Sequence, residues 1–182
     1  MNLCPKIYFI YLIVAVTLLA SCQSTDIPSK SQANTTPTIS FHKTVTLDKN
    51  FKIAMGQTIY VPVYSHIYHH SRQEIFNLAA TLSIRNTDLE KPIIITSVRY
   101  SDSDGKLIKQ YLEHPIQVDT LASTDVLINR NDTSGSLGAN FIVEWVASTE
   151  VSEPIVEAII ISTDFQQGIS FTSPGKGIEN QN

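Results

Sequence analysis

Cysteine is nearly missing from this chain. Of 182 residues only Cys4 and Cys22 carry a thiol, and Cys4 lies in a segment that reads as a cleaved leader. With Cys22 modified as described below, that scarcity excludes a disulfide framework, a CxxC redox pair, a cysteine nucleophile and a Cys-rich zinc centre, all of which need thiolates. Basic charge is also short. Thirteen Lys and Arg stand against 17 Asp and Glu, a net charge of −4, and the basic residues do not gather into the cluster that a phosphate backbone demands. No nucleic-acid partner is expected. Past Cys22 the chain also lacks long apolar runs and convincing amphipathic helical repeats, which argues against an α/β architecture.

What is present begins at the N-terminus. Lys6 is followed by an apolar stretch from Ile7 to Ala20, broken only by Thr17 and free of acidic residues. A bilayer span needs about 20 apolar residues, so a secretory leader accounts for this stretch better than an uncleaved membrane helix. It closes on Leu19-Ala20-Ser21-Cys22, a lipobox: small residues admit a signal peptidase, and the cysteine follows the cut. Residues 1–21 are therefore expected to be a signal peptide, with Cys22 becoming the first residue, acylated at its thiol and its amine. Several acyl chains give the stable membrane anchoring that one chain, at about 0.8 kcal/mol per buried CH2, does not. The mature chain would hold 12 basic against 17 acidic residues. Gln23 lacks the aspartate that retains enterobacterial lipoproteins at the inner membrane, so the expected location is the bacterial envelope, facing the periplasm, with the outer membrane preferred.

Residues 22–40 are the lipidated cysteine and a flexible tether. Ser, Thr, Gln, Asn and Pro dominate it, and Ile27 and Ile39 are its only large apolar side chains, too few to offset the entropy of ordering. Such a coil reaches about 25 Å, stiffened slightly at Pro28 and Pro37. Beyond it, hydrophobic periodicity is two. In Ile75–Asn86 the residues Phe76, Leu78, Ala80, Leu82 and Ile84 share one face, and Asn77, Thr81, Ser83 and Arg85 the other. Further strands are expected at Ile93–Ser101, Leu107–Tyr111, Ile116–Val118, Thr124–Ile128, Phe141–Ser148, Ile155–Thr163 and Ile169–Thr172, with Trp145 in the core beside Phe141 and Val143. Asp102–Lys106 resembles the opening of a calcium loop, but Gly105 stands two positions early and Lys106 replaces a ligand, so a hairpin turn is the better account. The pattern predicts one all-β domain over 41–174, an antiparallel immunoglobulin-like β-sandwich of seven to nine strands, with a small barrel as the alternative and a disordered tail over 175–182.

Thr58–His70 is the most unusual stretch. Read as one strand, it lines Tyr60, Pro62, Tyr64, His66 and Tyr68 on one face and Ile59, Val61, Val63 and Ile67 on the other. Pro62 cannot donate to a ladder and so predicts an edge strand. Tyr60, Tyr64, His66 and Tyr68 then become candidates for docking a protein partner of the envelope by strand addition, the alternative being tyrosines packed beneath a loop. Metal binding is not favoured, because in a straight strand His66 and His70 stand about 13 Å apart and His69 points the other way. A bend would leave His66 and His69 as the weak candidates. The loop from Asp132 to Asn140 is glycine-bearing and rich in hydroxyls, which makes Asp132, Ser134 and Asn140 candidates for holding a ligand through its backbone amides. A hydrolase built on His66, Asp132 and Ser134 is a further alternative, although the Gly135-Ser136-Leu137-Gly138 run is no nucleophile elbow.

GQTIYVPVYSHIYH (56–69), FNLAATLSIRNTD (76–88), VRYSDSDGK (98–106), DTSGSLGANFIVEWVA (132–147) and QQGISFTSPGKG (166–177) together resemble a family of bacterial, notably cyanobacterial, lipoproteins, domain of unknown function 3124. The resemblance implies no activity, substrate or catalytic residue. It leads one to expect Gly where His70 stands, which counts against a ligand role for His70. The expected function is thus that of a lipid-anchored, non-catalytic module without a cofactor, binding or scaffolding another envelope component, or alternatively a divalent-metal binder using His66 and His69.

Overall fold

The computed structural model describes residues 42–164 and 167–181, so the expected signal peptide, Cys22 and the tether lie outside the described residues. Within them the chain forms strands and no helix. In chain order these are β1 (Lys43–Thr44), β2 (Met55–Pro62), β3 (His66–Tyr68), β4 (Ile75–Asn77), β5 (Ala79–Arg85), β6 (Ile93–Ser101), β7 (Leu107–Gln110), β8 (Ile116–Val118), β9 (Ser123–Ile128), β10 (Asn140–Ala147), β11 (Ile155–Asp164), β12 (Gln167–Pro174) and β13 (Lys176–Asn180). One sheet runs β1-β8-β6-β10-β2-β13 with β7 also on β6, a second runs β12-β11-β5-β9, and β3 and β4 make a separate hairpin. All pairings are antiparallel and no sheet closes on itself, so the fold is a β-sandwich and the barrel alternative falls away.

The thirteen strands exceed the seven to nine expected. β1, β3 and β4 span only two or three residues, and β13 is exposed throughout, so none shows the alternation that marks a half-buried strand. The predicted strand Ile75–Asn86 is two: Leu78 turns its amide to the Ser65 carbonyl at 2.9 Å, separating β4 from β5. The tail expected to be disordered over 175–182 instead contains β13. Lys176–Asn180 pairs with Gln57–Tyr60 of β2, because backbone donors on that side of β2 need partners whatever the side chains of β13 are. Gly175 makes the crossing from β12 to β13 possible: a Cβ there would stand 2.6 Å from Ile59 Cγ2 and 2.7 Å from the Val156 carbonyl.

The core lies between the inner faces of the two large sheets. Phe141, Val143 and Trp145 alternate inward on β10 as their spacing predicts, and each is fully buried. On β6 the inward set changes parity, from Ile93 and Ile95 to Val98 and Tyr100. A bulge causes this: Glu144 pairs with Ser97 but Trp145 pairs with Ile95, leaving Thr96 as the extra residue, its hydroxyl donating to the Glu144 carbonyl at 3.2 Å. The cross-strand pairs Phe141–Tyr100, Val143–Val98 and Trp145–Ile95 thereby all face inward. Each large apolar side chain so buried contributes about 1.5–3 kcal/mol. The Trp145 indole N–H has no acceptor among the described residues, so the area this ring buries must outweigh an unpaired donor.

Two polar features close the core. At one end, Asn86 is buried and its Nδ2 donates to the carbonyls of Lys91, Val118 and Asp119 at 2.8, 3.2 and 3.1 Å, while its Oδ1 accepts from the Asp88 amide at 2.9 Å. Asp88 in turn accepts from the amides of Ser152, Glu90 and Lys91, which hold its carboxyl below the usual range. At the other end, the Tyr100 and Phe141 ring centroids are 5.2 Å apart and those of Tyr111 and Phe141 5.9 Å apart, and the 129–139 loop comes up against Tyr100 at Gly135. Burial first, then the charge of Asp132, pushes the Tyr100 hydroxyl up to about 12. That hydroxyl lacks a hydrogen bond of good geometry, although the Ser134 hydroxyl and the Gly135 backbone lie near enough to temper the shift.

Two outcomes are expected. Asn86→Ala should lower unfolding free energy by about 2–4 kcal/mol in urea denaturation, since it leaves the buried Val118 carbonyl and the part-buried carbonyls of Lys91 and Asp119 without their donor. Asn86→Asp should cost at least as much at neutral pH, because a carboxylate would face the same three carbonyl oxygens, and should recover in part on acidification, when a protonated carboxyl can donate again. For Tyr100, the folded protein holds the phenol more tightly than the unfolded chain does. Its contribution is complete below about pH 10, the ordinary tyrosine value, and is lost as pH rises toward 12. Tyr100→Phe should therefore flatten the alkaline fall in melting temperature while leaving neutral stability unchanged or slightly raised. An alkaline melting profile identical to wild type would contradict this.

Candidate functional site

β2 is not the edge strand that Pro62 predicts, since β13 lies on its outer side. The signal in Pro62 is local. The last β2 residue paired with β13 is Tyr60, opposite Lys176, so the missing N–H of Pro62 falls where that ladder has ended. Nor is Thr58–His70 one strand. The chain leaves the sheet at Val63, whose amide donates to the Ala139 carbonyl, and turns inward at Ser65, which is buried. The Ser65 amide and hydroxyl both donate to the Ser136 carbonyl at 3.1 Å, and its carbonyl accepts from Leu78. This anchor launches the β3–β4 hairpin, in register His66–Asn77, Ile67–Phe76 and Tyr68–Ile75.

The four docking candidates are accordingly divided. Tyr60 stays within the large sheet, opposite Ile142 and Lys176. Tyr64 packs edge-on against Phe171 with centroids 5.9 Å apart, and with Ile67, Thr172, Ser173 and Pro174 it lines an open groove of about 230 Å3. His66 and Tyr68 lie on the hairpin with ring centroids 6.4 Å apart, and the His66 Nδ1 is 3.4 Å from the Ser65 hydroxyl. Directly across the ladder from Tyr68 stands Ile75, which the sequence placed in a strand without any functional role. Tyr68 and Ile75 are 46% and 51% exposed, an apolar cross-strand pair on a sheet that joins neither large sheet.

At the hairpin tip the structure gathers a different imidazole set from the expected His66 and His69. His69, His70 and Glu74 offer donor atoms all within 4.8 Å of one another. The His69 and His70 Nδ1 atoms are 3.0 Å apart, and His70 Nδ1 is 3.5 Å from Glu74 Oε2. The straight-strand argument that set His69 against His70 fails here because the chain turns: His69 donates to the Glu74 carbonyl at 2.9 Å, and Glu74 to that of Ser71 at 3.2 Å. The His-His-x3-Glu spacing across Ser71-Arg72-Gln73, itself readable as a turn, was the signal for Glu74.

The loop from Asp132 to Asn140 spends its polar groups on itself and its neighbours. Asp132 accepts from the Ser134 amide at 3.1 Å and also from the Ser134 hydroxyl. Ser136 donates to the Thr133 carbonyl, and Gly138 donates to the Ser103 hydroxyl at 2.8 Å. Asn140 belongs to β10, where it is buried between Ser101 and Pro62, and is not grouped with the other two. Gly135 is required by close approach, since a Cβ there would meet the Tyr100 hydroxyl at 1.8 Å. The loop lies against the Tyr100 ring, and the amides of Ser134, Ser136 and Gly138 are engaged within the protein. Asp132 and Ser134 are thus brought together, whereas the His66 Nδ1 meets the Ser65 hydroxyl. Asp102 likewise serves its turn, accepting from the amides of Asp104 and Lys106 at 3.0 and 2.9 Å.

A comparison with curated proteins found no match. Among solved structures, the chain is similar to one titled "Crystal Structure of Thermotoga maritima 1070", with 13% identity, coverage of 69% of this chain and 97% of that one, and a TM-score of 0.42. The model of a family described as "Protein of unknown function (DUF3124)" matches residues 56–178, from the second residue of β2 into β13, so it takes in the anchored hairpin, both sheets and the Asn86 cluster, and the chain belongs to that family.

Proposed function

We propose that this protein is a lipid-anchored, non-catalytic binding module of a bacterial envelope, held to the membrane through Cys22 and facing the periplasm, that docks another envelope protein through its β3–β4 hairpin. The observation that supports this most is the Tyr68–Ile75 pair. Two large apolar side chains directly opposite each other, each about half exposed, sit on a two-stranded ladder with no sheet covering them. Aromatic residues of this kind, rigid and amphipathic, carry much of the energy in protein interfaces. The groove formed by Tyr64, Ile67 and Phe171 adds a place for a partner side chain next to Ile67 of the same hairpin.

The anchor rests on Leu19-Ala20-Ser21-Cys22 behind a basic residue and an apolar run. A tether reaching about 25 Å would let the domain meet a partner clear of the headgroups. Gln23, in place of the aspartate that retains enterobacterial lipoproteins at the inner membrane, favours outer-membrane delivery.

Two measurements test the reading. Wild-type protein should incorporate labelled fatty acid and sediment with membranes, and Cys22→Ala should do neither; unlabelled wild type would remove the anchor. In-cell crosslinking should then recover one envelope protein with the wild type and at least about tenfold less of it with Tyr68→Ala/Ile75→Ala, in line with the loss of interface anchors worth 1 kcal/mol or more each. Equal recovery by the double variant, with its circular dichroism unchanged, would move docking off the hairpin.

A further inference from the structure

We propose that the tip of the β3–β4 hairpin binds a divalent first-row transition-metal ion of the zinc class through His69 Nδ1, His70 Nδ1 and a Glu74 carboxylate oxygen. The inference does not depend on the docking surface proposed above. It starts from the distances. A tetrahedral ion at about 2.0–2.1 Å from its ligands sets donor atoms about 3.3–3.4 Å from one another. The two separations at the tip, 3.0 Å between the imidazole nitrogens and 3.5 Å from His70 to Glu74, fall on either side of that value; without an ion they are a hydrogen bond and an ion pair, and an ion would displace the proton held between the two Nδ1 atoms. The third, from His69 to Glu74, is no more than 4.8 Å and closes with a small rotation of exposed side chains.

The donor set is chemically apt. Two imidazoles and one carboxylate suit zinc and its neighbours, and the carboxylate offsets part of the ion's charge. The backbone has already brought the ligands together: the His69-to-Glu74 and Glu74-to-Ser71 hydrogen bonds close the turn before any ion arrives, which lowers the ordering cost of binding. Side-chain exposure of 71% at His70 and 61% at Glu74 leaves the remaining coordination position open to water or to a donor from another molecule. His66 stands outside this set, engaged with Ser65 and Tyr68.

The test uses the full chain without a polyhistidine tag. Calorimetric titration with Zn2+ should show one equivalent bound, and Co2+ in its place should give the intense visible absorption of a tetrahedral site. Affinity should weaken at acid pH, where protons compete for the imidazole nitrogens. His69→Ala, His70→Ala and Glu74→Gln should each cut affinity at least about tenfold, a loss of the size seen when even a metal's supporting residues are removed. His66→Ala should bind as wild type does. Absence of both Zn2+ heat and Co2+ absorption in the wild type would overturn the proposal. So would unchanged affinity in His70→Ala, or a loss confined to His66→Ala. Because the three ligands are exposed on a turn, the variants are expected to keep the wild-type melting temperature in metal-free buffer, which separates loss of the site from loss of the fold.

Discussion

The buried carboxamide of Asn86 is the contact on which the geometry of this sandwich turns. It sits where the chain leaves β5, in the four-stranded sheet, and heads for β6, in the other. Two sheets packed face to face have no hydrogen bonds between them, so their separation and angle depend on side-chain packing and on the segments that cross. Asn86 fixes such a segment by joining the 86–91 crossing to the end of β8 and to Asp119, and Asp88 extends the tie to Ser152 on the β10–β11 connection. An amide group can do this where a carboxylate or hydroxyl cannot, because the site demands donors toward several carbonyls and an acceptor toward one amide. The low dielectric of the buried site strengthens each bond and raises the cost of losing any of them.

At the opposite end the constraint is steric. The Thr96 bulge rotates the distal half of β6 so that Tyr100 joins Phe141, and the resulting aromatic layer must be roofed. The loop 129–139 supplies the roof, with Gly135 admitting the Tyr100 hydroxyl. Its small and hydroxylated residues serve this cover: the amides of Ser134, Ser136 and Gly138 are committed to Asp132, Thr133 and Ser103.

Side-chain pattern decided how much of the fold was legible in the sequence. Strands whose two faces differ in polarity, such as β5 and β10, were readable because alternation reports a half-buried surface. The parity change in β6 was not, since Ile93, Ile94 and Ile95 are all apolar and any of them could face inward. β13 was missed because its ladder with β2 is made by backbone groups while its side chains stay exposed. Pro62 reported a missing donor at one residue, which is a smaller statement than an edge along a whole strand. The burial of Asn86 depends on segments more than thirty residues away and left no local trace.

The hairpin is where these limits bear on function. Its base is fixed firmly, through the three hydrogen bonds that Ser65 makes to Ser136 and Leu78, whereas its free end carries the exposed Tyr68, Ile75, His69, His70 and Glu74. A two-stranded ladder of three residue pairs is marginal alone, so order at that end depends on the anchored base and on whatever the tip touches. An apolar contact on Tyr68 and Ile75 would supply the missing packing, and an ion bridging the turn would supply the missing cross-link. The two occupy different faces of one small element, and each would hold the other's residues in place without altering the sandwich below. A binding surface on so short a ladder, rather than on the rigid sheets, would be one whose order its ligand completes.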